Sequence, residues 1–142
     1  MRLKIAVQMD PIEFVDIDAD STFRIMEEAQ LRGHELFYYN PDQLAFEEGN
    51  ITATGWPISV TRAYGEHFKK DEKVKINLKD FDVVWLRQDP PFDMGYITNT
   101  HLLEMLHPKT LVVNNPKWVR NFPEKLLVLN FPDLTPPTTI AR

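Results

Sequence analysis

The chain contains no cysteine, which excludes disulfide bonds, a cysteine nucleophile and thiolate metal sites, and which fits a reducing compartment. Glycine is also scarce, with 5 glycines among 142 residues. Neither the glycine-rich dinucleotide-binding pattern nor the P-loop pattern occurs anywhere in the chain. A dehydrogenase-type nucleotide domain is therefore disfavoured.

Long apolar runs and basic clusters are missing too. The apolar run Ile5–Val7 is far too short for a signal peptide or a membrane-spanning helix, and Asp10 ends it. The formal net charge is -5, without the block of lysines and arginines that a nucleic-acid surface needs. We therefore expect a soluble, cytoplasmic, single-domain protein that binds neither nucleic acid nor a membrane.

The order of the apolar segments predicts an α/β fold with a mainly parallel sheet. A strand, a helix and a second strand follow one another from Leu3 to Tyr39, and such a unit has parallel strands and a right-handed crossover. Asp20 or Ser21 is suited to cap that helix, and Gly33 to end it. The sequence predicts four buried strands, at 3–9, 35–39, 83–86 and 110–113. It predicts one helix that ends at residue 31 and three more at 96–106, 117–120 and 124–130.

The middle of the chain has a different pattern, which predicts an antiparallel insertion in this frame. Residues 44–47 and 51–54 flank Gly49-Asn50 as the two strands of a hairpin would. Residues 60–64 and 74–78 alternate apolar with polar side chains, which is typical of half-exposed strands. We expect Trp56 and Phe68 in this insertion to be exposed and to face another subunit, which would make a homo-oligomer, or a further domain.

Polar residues follow three of the predicted parallel strands. The most notable turn begins after Leu86, where Arg87, Asp89 and Asp93 surround Pro90-Pro91, and the prolines must end the strand. Asp10-Pro11 and the segment 114–116 follow two other strands. Because the carboxyl ends of parallel strands share one sheet edge, where α/β proteins bind ligands, we expect these turns to form a site.

Arg87 is the residue of this set that a local turn explains least well. An arginine at the end of a buried strand must be paired or must face a ligand, and its planar guanidinium suits a carboxylate or a phosphate. The structural alternative is an ion pair with Asp89 or Asp10 that only shapes the loop. The residue types leave both interpretations open.

Other candidate sites are weaker. Four acids have the spacing of a calcium loop, but Ser21 stands where that loop needs glycine, and a strand precedes it; the acids are Asp16, Asp18, Asp20 and Glu27. The four histidines are too scattered to predict a metal site. Neither Ser21 nor Ser59 lies in a nucleophile-elbow context. Lys125 lies in the first turn of a predicted helix, where the dipole disfavours a cation, and a solvated lysine is the simpler interpretation.

The block Leu86–Asp93 contains the string Arg-x-Asp-Pro-Pro-Phe-Asp, and four further blocks lie at 7–12, 20–23, 124–126 and 131–136. Together these blocks resemble the N-terminal domain of bacterial glutathione synthetase, in that family's order and along essentially the whole chain. The Arg-x-Asp-Pro-Pro-Phe-Asp string is the most specific of them. The resemblance implies a three-layer, Rossmann-like pre-ATP-grasp domain covering 1–142, which binds substrate. The family's ATP-grasp part would begin just after Arg142, and the strand-like run before it suggests a cut chain.

The family joins γ-glutamylcysteine to glycine with ATP and Mg²⁺, through phosphorylation of the cysteinyl carboxylate and attack of the glycine amine on the acyl phosphate. The resemblance implies that Arg87 holds an anionic part of the dipeptide and that Asp89 accepts from an ammonium group or orients Arg87. Lys125 would reach the ATP phosphates. The other implied substrate-binding residues are Asp10, Ser21, Thr22, Pro90, Pro91, Phe92 and Asp93.

The resemblance places the Mg²⁺ ligands and most of the nucleotide pocket outside this chain. We therefore expect no catalytic residue and no metal ligand here, no bound cofactor, and no activity of the chain alone. The alternative interpretation is a stand-alone flavodoxin-like module that binds a small anion or a partner and catalyses nothing.

Overall fold

A computed structural model describes residues 1–141 and confirms the α/β class. The sheet has the strand order β3-β4-β2-β1-β7-β8, and two short strands, β5 and β6, also pair with β4. The strands are β1 Lys4–Gln8, β2 Glu35–Tyr39, β3 Leu44–Glu47, β4 Asn50–Val60, β5 Phe68–Lys70, β6 Val74–Asn77, β7 Val83–Leu86 and β8 Leu111–Val113. The helices are α1 Ser21–Leu31, α2 Met94–Glu104, α3 Pro116–Asn121 and α4 Glu124–Leu127, and single turns of 3-10 helix connect several elements.

Four parallel strands, β2-β1-β7-β8, form the frame that the sequence predicts. Alternate residues of β1 point to opposite faces, so that Ile5 and Val7 pack with α1 while Ala6 packs with α2. Phe23 of α1 and Leu103 of α2 are fully buried in these two core clusters. Helices on both faces of the sheet make the three layers.

The antiparallel insertion is present but is built around one long strand. The predicted strands at 51–54 and 60–64 are wrong in detail, because β4 runs without a break from Asn50 to Val60. Its outer partner changes from β6 to β5 around Pro57, so no ladder hydrogen bond is needed from that proline on this side. Its inner partner is β2, through Phe37 and Tyr38.

The predicted helix signals are confirmed with small shifts. The Asp20 carboxylate accepts from the backbone N–H of Phe23 at 2.6 Å and caps α1. Gly33, with φ of +80°, follows the end of that helix. Helix α2 begins two residues before the predicted start because Asp93 accepts from the N–H of Tyr96 at 2.9 Å and caps it.

Two predictions of burial are wrong. The strand at 110–113 is not buried on both faces, because β8 is the edge of the sheet and leaves Leu111 and Val113 47% and 42% exposed. Trp56 and Phe68 are not exposed but half-buried. Trp56 stacks on Tyr38 at 5.7 Å between ring centroids, and Lys70 Nζ lies 4.4 Å from the Trp56 ring centroid.

Across residues 1–141, the longest helices have eleven residues, and none is long and apolar enough to cross a membrane.

Candidate functional site

The carboxyl ends of the parallel strands come together at one edge of the sheet, as the sequence predicts. The turn after β7 contacts the turn after β1 directly, because the backbone N–H of Asp89 donates to Asp10 Oδ2 at 2.6 Å. The turn after β8 contributes Asn114, which lines a cavity together with Pro90 and Phe92. A fourth turn, Asn40 to Asp42 after β2, also reaches this edge, although the sequence analysis did not include it.

Three adjoining cavities lie along this edge. The apolar cavity has a volume of about 560 Å³ and is lined by Pro90, Phe92, Tyr96, Asn114, Val119, Phe122, Pro123 and Lys125. The acidic cavity, of about 280 Å³, is lined by Asp10, Pro41, Asp42, Gln88, Asp89, Pro91, Asp93, Gly95, Tyr96 and Asn99. The loop cavity, of about 380 Å³, is lined by residues 10, 11, 14–16, 19, 20 and 89. Tyr96 is shared by the first two cavities, and Asp10 and Asp89 by the last two.

Arg87 is half-buried at this edge of the sheet but is not among the residues that line the three cavities. Its Nε donates to Thr22 Oγ1 at 2.9 Å and its Nη2 donates to Ser21 Oγ at 2.7 Å, so α1 holds the guanidinium through two neutral hydroxyls. Among the side chains that the structure describes, no carboxylate lies within 4.0 Å of it, so the alternative ion pair with Asp89 or Asp10 does not form. A charge-assisted donor fork is therefore oriented but not neutralised.

The chain matches a family model and several curated proteins. The family model described as "Prokaryotic glutathione synthetase, N-terminal domain" matches residues 3–120. The chain belongs to this family. Among curated proteins called glutathione synthetase, it is 55% identical to that of Brucella melitensis, 52% to that of Rhodopseudomonas palustris and 38% to that of Escherichia coli. These matches cover 99–100% of this chain, but the chain spans only about 45% of the length of each relative.

Two acidic residues at this edge, Asp93 after β7 and Asp10 after β1, have structural partners in this glutathione synthetase domain. One oxygen of Asp93 caps α2, and one oxygen of Asp10 holds the N–H of Asp89. Both carboxylates nevertheless line the acidic cavity, as Asp89 does. Pro90 and Phe92 line the apolar cavity and Pro91 lines the acidic cavity, so the Pro90-Pro91 turn lies between the two cavities.

Tyr96 is a site residue that the sequence analysis did not include. It lies in the first turn of α2 and lines both the apolar and the acidic cavity. Burial raises its pKa; the Arg87 guanidinium acts in the opposite direction, and Asp89 and Asp10 add to the rise. Tyr96 therefore presents a neutral hydroxyl at neutral pH. An aromatic residue in the turn that follows a polar strand end was the signal for it.

A cluster of three side-chain amides was also missed. Gln8 is fully buried at the end of β1, and its Nε2 donates to Gln88 Oε1 at 2.5 Å. Asn99 Nδ2 of α2 donates to the same Gln88 oxygen and to the carbonyl oxygen of Pro41, both at 3.1 Å. A glutamine within the otherwise apolar run of β1 was the available signal, because a buried amide requires partners.

Lys125 is exposed as the second residue of α4 and lines the apolar cavity together with Pro90 and Phe92. Lys125 thus lines the same cavity as part of the Arg-x-Asp-Pro-Pro-Phe-Asp string, although it lies more than thirty residues further along the sequence. Arg142, after which the ATP-grasp part was expected to begin, lies outside the described residues.

The calcium-loop acids have other partners. Asp20 caps α1, Asp16 accepts from the N–H of Asp18, and both Asp18 and Glu27 pair with Arg62. The described part of the chain holds no group of three acidic or histidine side chains that would bind a metal ion.

Proposed function

We propose that this chain is the substrate-binding part, and 1–142 the N-terminal domain, of a cytoplasmic ATP-dependent ligase that joins γ-glutamylcysteine to glycine through an acyl phosphate. The observation that carries the proposal is Arg87, whose guanidinium is held by two hydroxyls and lacks a carboxylate partner among the described residues. A half-buried guanidinium of this kind favours binding of an anionic group.

The remaining residues receive roles consistent with their positions. Ser21 and Thr22 orient Arg87, and Asp10 orients the backbone of Asp89. The carboxylates of the acidic cavity suit the ammonium group of the dipeptide. Pro90, Pro91 and Phe92 form the stiff wall between the cavities, and prolines hold such a loop at low entropic cost.

Lys125 suits an ATP phosphate, because it is an exposed cation that lines the apolar cavity. Phosphoryl transfer depends on positioning and on neutralisation of charge by several groups, including Mg²⁺. The described residues do not provide a fitting set of Mg²⁺ ligands. We assign those ligands, and most of the nucleotide pocket, to an ATP-grasp part corresponding to the remaining length of the relatives.

Two variants of a complete enzyme test the role of Arg87. The enzyme is this chain fused in frame to the C-terminal part of the Brucella melitensis relative. Arg87→Ala should lower kcat/KM for the dipeptide by roughly hundredfold, or about 3 kcal/mol of transition-state binding, while the melting temperature changes little. Arg32→Ala is the matched control, since Arg32 pairs with Glu28 on the exposed face of α1.

The unfused 142-residue chain should not turn over ATP with γ-glutamylcysteine and glycine. Turnover by this chain alone, or an Arg87→Ala enzyme that loses stability but keeps its kcat/KM, would contradict the proposal. An inactive fusion whose chain still binds small anions would favour the stand-alone module.

A further inference from the structure

The orientation of the amide cluster is determined by a single backbone carbonyl. A carbonyl oxygen accepts and never donates, so the Asn99 group that faces Pro41 O must be its N–H₂. The same nitrogen faces Gln88, so Gln88 must present its oxygen there. Gln8 then also has to present a nitrogen to that oxygen. Each step excludes the flipped amide of the next residue.

The consequence is that the Gln88 oxygen faces inwards and its N–H₂ does not. The oxygen accepts from both Gln8 and Asn99, which satisfies both of its lone pairs. Both hydrogen bonds of the Gln88 side chain to described groups use its oxygen and none uses Nε2, while half-buried Gln88 lines the acidic cavity. An oriented donor is thus available to whatever enters that cavity.

The charge of the cavity selects the acceptor. Four carboxylate side chains line it, those of residues 10, 42, 89 and 93, while Arg87 is not part of its lining. An anionic acceptor at this point would be repelled. A neutral carbonyl oxygen would accept from Gln88 Nε2 without that penalty, and a peptide substrate carries such oxygens.

We propose that Gln8 and Asn99 are positioning residues that hold the Gln88 amide with its N–H₂ facing the acidic cavity, where Gln88 donates to an amide carbonyl oxygen of the peptide substrate. The ligand class rests on the proposed function. The orientation of the amide does not, and a separate measurement tests it.

The first measurement uses side-chain amide NMR of the ¹⁵N-labelled chain, with each N–H₂ pair assigned from the loss of its signal on substitution. Hydrogen exchange of the Gln88 N–H₂ should be at least about tenfold faster than that of the buried Gln8 N–H₂. Asn99→Asp replaces the donor with an acceptor, so Gln88 should turn its N–H₂ inwards and become protected. Equal protection of Gln8 and Gln88 in the unsubstituted chain would overturn the assignment.

The second measurement uses the fusion enzyme described above. Gln88→Glu keeps the oxygen that accepts from Gln8 and Asn99 but replaces the donor in the cavity with an acceptor. It should raise the KM for the dipeptide about tenfold or more, with a smaller change in kcat and little change in melting temperature. Asn99→Asp should act in the same direction although residue 99 keeps its size.

Gln30→Glu is the matched control. Gln30 is also half-buried and also makes two side-chain hydrogen bonds, both to the backbone of Val60 and away from the three cavities. It should lower the melting temperature and leave KM unchanged. If Gln88→Glu behaves like Gln30→Glu, the proposed donor role is refuted. If the unsubstituted fusion makes no glutathione, the proposed function fails, and the NMR result still decides the orientation of Gln88.

Discussion

Gly55 lies where β4 approaches β2 too closely for a side chain. A Cβ atom built at this position would lie 2.1 Å from the backbone oxygen of Tyr38 and 2.8 Å from the Cβ of Tyr39. Both contacts are far below van der Waals distance, and the nearer one involves backbone, which cannot rotate away. Gly55→Ala therefore has to separate β4 from β2 at the place where the two strands pair.

The size of the effect follows from that geometry. Overpacking a well-packed core costs about 1–3 kcal/mol, and a clash with backbone belongs at the upper end of that range. For a chain of 142 residues, the entropy of unfolding makes about 3 kcal/mol equivalent to a fall of roughly 10 °C in melting temperature. The substitution should also displace the end of β2, which leads into the Pro41-Asp42 side of the acidic cavity.

Calorimetry and urea unfolding of the 142-residue chain measure this cost. Trp56 provides a local signal, because it stacks on Tyr38 and pairs with it across the two strands. Ser59→Ala is the matched control, as Ser59 is exposed on the same strand and should change stability by no more than about 0.5 kcal/mol. A Gly55→Ala chain that melts within about 2 °C of the unsubstituted chain would refute the close approach of β4 to β2.

Two further predictions concern the site edge and its support. Asp10→Ala removes the acceptor of the Asp89 N–H and should speed hydrogen exchange of that amide about tenfold. Asp10→Asn keeps a neutral acceptor and should have a smaller effect. Equal exchange rates in the two variants and the unsubstituted chain would refute the contact. Burial raises the pKa of Tyr38 to about 12, so the folded state holds this proton more tightly than the unfolded state does, and the resulting stability is present below pH 10 and lost between about pH 10 and 12. Between pH 9 and pH 12 the Tyr38→Phe chain should lose roughly 2–3 kcal/mol less unfolding free energy than the unsubstituted chain does. An equal loss in the two chains would contradict the assignment.

Local signals in the sequence were sufficient for much of the frame. The bounds of β2 were predicted correctly, because an apolar run between Gly33 and Asn40-Pro41 has clear ends. Asp20 was predicted as a cap from its position before an amphipathic segment. Sheet pairing, in contrast, decided β4. The Gly55-Trp56-Pro57 segment has the composition of a break, and only its pairing with β2 shows that the strand continues.

The sequence predicted which turns meet at the edge of the sheet. It did not predict contacts between elements far apart in the chain, such as the contact of Arg87 with α1. Asp10 and Asp89 were placed together because parallel strands share an edge. Whether Arg87 pairs with an acid or not depends on the position of α1, whose Ser21 and Thr22 reach it across more than sixty residues of sequence. Sequence spacing does not predict contacts between residues so far apart. The sequence therefore did not decide whether Arg87 forms an ion pair or faces a ligand.

The alternation of side chains along β7 explains why the cation and the amide donor of this site do not interfere with each other. Leu86 packs in the cluster on the α2 side of the sheet, Arg87 reaches α1, and Gln88 returns to the α2 side, where Asn99 binds it. A shift of one residue in the register of β7 would exchange the two faces. Arg87 would then meet buried amides and Gln88 would meet two hydroxyls. The strand register, set by the apolar residues of β7, therefore determines that Gln88 lines the acidic cavity while Arg87 binds the hydroxyls of α1.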